Sequence, residues 1–141
     1  MRKIVVLILL SFLVTSCTGK IASFEFESYQ WQGNKPVDLS FHVDENKTTD
    51  LTLEIRSMYG IPYKMLSMDF VLTNTNGEKF IVSKDVEFNE ETLDCSGDFC
   101  DQKIKLFDGF KLREGDYKLR ATHFNMDSDL YGLIEFRLLE E

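Results

Sequence analysis

The chain of 141 residues reads as a single antiparallel β-sandwich of about eight strands, jelly-roll or immunoglobulin-like, behind a short apolar leader. Three observations predict it. Apolar and polar residues alternate along most of the chain, with the period of a half-buried strand. Turn-forming residues interrupt the alternation at short intervals. Twelve phenylalanines suit a pleated, half-buried surface, and no helical stripe follows the leader.

Phe24 and Phe26 open an aromatic first strand that ends at Gly33-Asn34-Lys35-Pro36. Val37, Leu39 and Phe41 begin the second, closed by the polar run from Asp44 to Asp50. Leu51, Leu53 and Ile55 mark the third, stopped by Gly60-Ile61-Pro62. Met68, Phe70 and Leu72 share one face of a strand over 66–73. Asn74-Thr75-Asn76-Gly77 then predicts a tight hairpin into 79–84, where Phe80 and Val82 alternate. Residues 85–102 are the longest stretch without strand character, acidic and closed by Cys95 and Cys100; an excursion of that length often carries function. Ile104 and Leu106 resume the alternation. Arg113-Glu114-Gly115-Asp116 introduces Tyr117, Leu119 and Ala121, and Gly132, Ile134, Phe136 and Leu138 form the last strand.

Ahead of the sandwich, Arg2 and Lys3 precede an apolar stretch from Ile4 to Val14 broken only by Ser11. That is a secretory signal in length and flanks, too short for a stable membrane span. Its end, Val14-Thr15-Ser16-Cys17, resembles a bacterial lipobox, in which small residues admit the peptidase that cuts before a lipidated cysteine. Residues 1–16 are therefore expected to be removed, Cys17 to be acylated, 17–22 to form the lipidated N-terminus and tether, and 23–141 to fold. Each buried CH₂ adds roughly 0.8 kcal/mol of membrane affinity, so more than one acyl chain anchors firmly.

The mature chain would have 125 residues, enough for one core that buries roughly two-thirds of the unfolded surface. Losing Arg2 and Lys3 leaves 14 Lys and Arg against 24 Asp and Glu, a net charge of −10. Such a surface repels phosphate backbones and gains no electrostatic grip on anionic lipid, so nucleic acid is not an expected partner.

With Cys17 lipidated, Cys95 and Cys100 remain as an even pair, and outside the cytoplasm such a pair tends to be oxidised. Gly97 lets Cys95-Ser96-Gly97-Asp98-Phe99-Cys100 turn back on itself. The competing reading, a two-thiolate metal site, lacks the further His or Cys ligands zinc wants nearby in sequence.

Catalytic candidates are few. His42 stands near a strand end beside Phe41, and His123 shares the parity of Tyr117, Leu119 and Ala121, which suits a hydrogen-bonded structural histidine. Neither a Gly-x-Ser-x-Gly elbow, a His-Glu-x-x-His pair nor a phosphate-binding glycine loop occurs. Asn125-Met126-Asp127-Ser128-Asp129 alternates oxygen ligands but lacks the glycine and distal glutamate of a calcium loop. It reads, with Asp94, Asp98 and Asp101, as solvated charge, and neither a cofactor nor a metal is expected.

Tyr29, Trp31, Tyr59 and Tyr63 fall at strand ends or turns, where rings stack on sugars or dock into a partner. Trp31 reads equally well as a plug in the end of the sandwich. The candidate interaction surface is thus Trp31, Tyr59 and Tyr63 with Asp98 and Phe99 of the 94–101 loop.

One resemblance spans nearly the whole mature chain. The lipobox is followed by an aromatic strand with Trp31, then Phe41, the run Leu51-Thr52-Leu53-Glu54-Ile55-Arg56, and Tyr63 after Pro62. Glu114-Gly115-Asp116-Tyr117 then leads into Met126 and Leu130-Tyr131-Gly132-Leu133. This order is similar to the GldH-type gliding-motility lipoproteins of Bacteroidetes. The resemblance implies a non-enzymatic envelope lipoprotein that works by protein–protein contact in a motility or associated secretion apparatus, with no catalytic residues. Residues 18–21 carry no acidic run after the cysteine, which leans towards an outer-membrane anchor with the domain facing the periplasm, the cell surface being the alternative. Two other functions fit the same chain: a surface carbohydrate-binding module, and an immunity or inhibitor lipoprotein whose acidic charge meets a basic toxin or enzyme.

Overall fold

A computed structural model describes residues 19–124 and 128–141. Its strands are β1 (Gly19–Glu25), β2 (Gln30–Trp31), β3 (Val37–Val43), β4 (Lys47–Met58), β5 (Met65–Thr73) and β6 (Lys79–Glu87). They continue with β7 (Asp94–Ser96), β8 (Phe99–Leu112), β9 (Gly115–His123), β10 (Leu130–Tyr131) and β11 (Leu133–Glu140). One 3₁₀ turn occupies Glu27–Tyr29.

Two sheets face each other, one ordered β1-β11-β4-β8-β7 and the other β3-β9-β5-β6, and β2 pairs with β10 in a small ribbon. All described pairings are antiparallel. With the short β2, β7 and β10 set aside, the long strands fall in the order first-eighth-third-sixth and second-seventh-fourth-fifth. That is a jelly roll and not an immunoglobulin sandwich. The core forms where alternating side chains of the two inner faces meet. Leu39, Phe70, Leu72 and Leu119 come from one sheet, and Leu53, Ile55, Phe136 and Leu138 from the other, all fully buried.

The alternation read from β3, β5 and β9 holds in space, and β3 alternates buried and exposed at every residue. Asn74 also makes its hairpin as expected, its Oδ1 accepting the Asn76 and Glu78 amides at 3.0 and 2.9 Å, while Gly77 takes φ 81°. Four details differ from the expectations. Strand β1 already includes Gly19 and Lys20, which pair with Glu140 and Leu139, so residues 19–22 of the expected tether are strand. The 85–102 excursion shrinks to residues 88–93, since β6 runs on to Glu87 and β7 and β8 make a hairpin of the cysteine segment. In β11 a register shift between Leu133 and Glu135 changes the phase, so Leu133 is buried and Ile134 only partly so. Alternation cannot foresee a bulge. The β2–β10 ribbon, of two residues a side, is too short to show a period at all.

Register defines two ends. Gly19, Glu140 and Leu51 lie together at one, whereas Glu25, Leu133, Ser57 and Cys100 lie at the other.

Candidate functional site

The end opposite Gly19 is built from aromatic strand termini. The Gly132 amide donates to the Tyr29 carbonyl at 2.8 Å, and the Met58 amide donates to the Gly132 carbonyl at 2.7 Å. Met58 pairs across the sheet with Phe99, and the Tyr59 amide donates to the Asp98 carbonyl at 2.8 Å. These bonds run through Tyr29, Tyr131–Gly132, Met58–Tyr59 and Asp98–Phe99 without a break. The rings point outwards: Tyr59 is 67% exposed, Tyr131 59%, Tyr29 48% and Phe99 47%. Among the described residues none of these four rings stacks on another aromatic ring, so no aromatic neighbour covers their faces.

Local chemistry sets this geometry. Ser28 and Tyr29 sit at φ 55° and 54°, a left-handed conformation that costs a residue with a Cβ about 1 kcal/mol or more. The hydrogen bond that the Gly132 amide donates to the Tyr29 carbonyl helps hold that turn. Gly132 itself has φ 93°, and a Cβ there would meet Ile61 Cγ2 at 2.5 Å, so the 59–63 loop closes directly on its backbone. The Cys95–Cys100 disulfide, bridging directly paired residues of β7 and β8, staples the hairpin that carries Asp98 and Phe99.

The structure brings Tyr59, Asp98 and Phe99 together as the sequence expects. Tyr63 lies beneath them and supports the rim instead of forming it. Its hydroxyl donates to the Tyr131 carbonyl at 3.1 Å, its ring meets Phe88 edge-on, and burial pushes its phenol well above the usual range. Trp31 does not belong to the surface. It is 2% exposed, packs edge-on against Phe136 and His123, and donates its indole N–H to the Lys35 carbonyl at 2.7 Å. The indole's size and single donor suit a plug with one polar exit, which is how it is used. Missing from the expected surface are Tyr29, Met58 and Tyr131. Tyr29 carries the same strand-end signal as Tyr59, whereas Tyr131 becomes visible only once Gly132 is placed against the Ile61 loop. Cys17, together with Asn125, Met126 and Asp127, lies outside the described residues.

Polar groups flank the rings. Gln30 donates its amide to Asp129 Oδ2 at 2.7 Å, and Asp129 Oδ1 accepts the Gly33 amide at 3.0 Å. Beside β2, a cleft of about 180 Å³ opens between Phe24, Glu27, Gln30, Gln32 and Pro36, with Phe26 and Trp31 at its floor. Asp94 and Asp98 stay exposed near the disulfide, but Asp101 is held by both Nε and Nη2 of Arg56 at 2.9 and 3.0 Å.

The remaining polar groups form no comparable site. A trough of about 590 Å³ crosses the outer face of β1, β11, β4 and β8 over Arg56, Lys103, Arg137 and Glu54. Most of its charges are paired: Arg137 binds Glu54 and Glu135, Arg56 binds Asp101, and Lys103 binds Glu141. His42 is exposed at the opposite end, its Nδ1 2.7 Å from Asp116, a carboxylate that holds the imidazole above its usual value. His123 is buried against Trp31, and neither ring nitrogen meets a hydrogen-bond partner among the described residues, contrary to the expected hydrogen-bonded histidine. Burial holds it below the usual value.

No protein-family model matches the chain, and no curated protein sequence does either. Solved structures share its fold. A carbohydrate-binding module, CBM28, specific for non-crystalline cellulose, superposes with a TM-score of 0.51 at 13% identity, covering 84% of this chain and 73% of that one. Looser similarity extends to the Eiger TNF of S. frugiperda, with a TM-score of 0.43 at 11% identity, covering 89% of this chain and 94% of that one. The CBM35 of Cellvibrio japonicus gives a TM-score of 0.40 at 11% identity, covering 88% of each chain. At these identities the likeness establishes the β-sandwich alone.

Proposed function

We propose that this protein is a lipid-anchored, non-enzymatic carbohydrate-binding domain of the bacterial envelope, and that the rim of Tyr29, Tyr59 and Tyr131 takes a neutral polysaccharide. The observation that carries the reading is the set of open tyrosine faces beside amide and carboxylate groups on one end of the sandwich. A sugar ring has an apolar C–H face and peripheral hydroxyls, and so needs both. Tyrosine supplies a rigid, amphipathic platform with little rotamer entropy to lose. Gln30, Asp98 and Asp129 stand beside it to meet hydroxyls. Asp94, Asp98 and Asp129 repel uronates and other anionic glycans, which favours an uncharged chain. A sandwich of the same fold that is specific for non-crystalline cellulose supports a β-glucan as the first ligand to test.

Affinity electrophoresis of the detergent-solubilised protein in gels holding hydroxyethylcellulose tests this. Retardation is expected, reduced at least tenfold in apparent affinity by Tyr59→Ala or Tyr131→Ala without a fall in melting temperature. Unretarded migration across a panel of neutral polysaccharides would overturn the proposal.

One observation favours a second reading, a protein partner in the envelope, as the motility-lipoprotein resemblance implies. Met58, Met65, Phe99 and Phe124 are exposed at the same end and have no polar handle for a sugar. Methionine and phenylalanine adapt well to another protein's surface. Crosslinking in native membranes that captures one stoichiometric protein, with gels silent towards glycans, would install this reading in place of the first.

A further inference from the structure

We infer that the sandwich stands on its Gly19 end and presents the aromatic rim away from the bilayer holding Cys17, so that the protein ties a membrane to a polysaccharide chain. The inference rests on the carbohydrate-binding reading and on acylation of Cys17. Only Thr18 separates Cys17 from Gly19, and a chain spans at most about 3.6 Å per residue, so β1 begins within about 7 Å of the anchored residue. β1 then climbs seven residues, roughly 20 Å at strand rise, to Glu25 at the far end.

The two ends differ in kind. Of the eight exposed large apolar side chains among the described residues, Tyr29, Met58, Tyr59, Met65, Phe99, Phe124 and Tyr131 lie at the far end, and Ile81 lies on β6. The Gly19 end has none of these side chains and is charged, with Lys47 paired to Glu140 at 2.7 Å and Lys105 to Asp50 at 3.0 Å. Its nearest apolar side chains, Phe107 and Phe110, are only partly exposed and pack against the core, so this end offers no protruding ring to sink into lipid. The aromatic end is also a poor membrane binder, because segments that lie in the interface combine apolar rings with Lys and Arg, and this rim is flanked by Asp94, Asp98 and Asp129. With the anchor at one end and the open rings at the other, the ligand is a polymer outside the bilayer and not a headgroup of the anchoring leaflet.

The test uses acylated full-length protein purified from membranes, its lipidated N-terminal peptide confirmed by mass, in vesicles of phosphatidylethanolamine and phosphatidylglycerol. A donor dye is placed on a single new cysteine under non-reducing conditions, at Tyr59→Cys or at Asp108→Cys, with an acceptor dye in the lipid. Energy transfer at least twofold stronger from position 108 is expected; equal or reversed transfer overturns the orientation. The same vesicles, unlabelled, are spun with amorphous cellulose and, separately, with purified peptidoglycan sacculi. Co-sedimentation with cellulose, reduced at least tenfold by Tyr131→Ala, supports the tether, and sedimentation with sacculi alone overturns its ligand. Protein retarded in glucan gels that leaves vesicles in the supernatant overturns the tether while the carbohydrate reading survives. Protein that ignores glucan in both formats brings down that reading itself, and an unacylated Cys17 removes the tether outright.

Discussion

Trp31 gives its indole N–H to the Lys35 carbonyl and wedges between Phe136 and His123, whereas Tyr59 leaves two-thirds of its surface in water. Truncation separates the two roles. Trp31→Ala is expected to cost about 3–5 kcal/mol in urea unfolding, since it opens a cavity at the sandwich end. Tyr59→Ala should change stability by no more than about 0.5 kcal/mol while removing ligand binding. The histidines make opposite contributions to pH dependence. Burial lowers the pKa of His123, so the unfolded chain binds more protons than the fold. Its contribution is therefore complete above the ordinary imidazole pKa of about 6.5 and declines as pH falls below it. For His42, Asp116 raises the pKa, so that contribution is present below about 6.5 and is lost as pH rises through the raised value. In a His42→Ala background, the urea midpoint should fall steadily from about pH 7.5 to about pH 5, and adding His123→Phe should flatten that part of the profile that His123 causes.

At the scale of elements, two devices shape the rim. The disulfide closes a small loop between β7 and β8, which in the chain-entropy model stabilises by about 2 kcal/mol. The double substitution Cys95→Ser with Cys100→Ser should lower the unfolding free energy by about that amount. It should also weaken ligand binding, because the Tyr59 amide hangs on the Asp98 carbonyl of the same hairpin. The second device is the contact of Gly132 with the Ile61 loop. Gly132→Ala meets both a left-handed backbone and a clash with Ile61, and should cost more than about 1 kcal/mol. Thermal unfolding checks the loss, and the rim should loosen with it. Neither device was readable as such in the chain. A cysteine pair flanking a glycine predicts a closed loop, but that it is a strand-paired hairpin ending β8 depends on register with β4.

At the scale of the whole molecule, the exposed large apolar side chains among the described residues gather at one end, while the other is charged with Lys47–Glu140 and Lys105–Asp50 pairs. If a domain of net charge −8 as translated takes an uncharged glycan, as proposed, it should bind with little response to salt. Affinity measured from about 50 mM to about 500 mM sodium chloride is expected to change less than twofold, whereas a basic protein partner steered by this acidity would bind progressively more slowly. Salt dependence thus separates the carbohydrate reading from the toxin-inhibitor function that the acidic composition also allows.

The sandwich was legible in the chain because strands advertise themselves locally. Leu39, Phe41, Phe70, Leu72, Tyr117 and Leu119 alternate with polar neighbours, and the Asn74–Gly77 turn is encoded within four residues. The expected leader and the proposed acylation of Cys17 are read from adjacent residues and rest on the sequence alone. Position within the folded sandwich was not so encoded. Trp31 and Tyr59 look alike as aromatics near turns, and only the packing of Phe136 and His123 buries one while the other is left in solvent. Tyr29, Tyr131, Met58 and Phe99 are scattered over a hundred residues and meet because a jelly roll returns β1, β4, β8 and β11 to one sheet. Local pattern determines which residues become strands; the long-range pairing of those strands decides which of their ends share a surface.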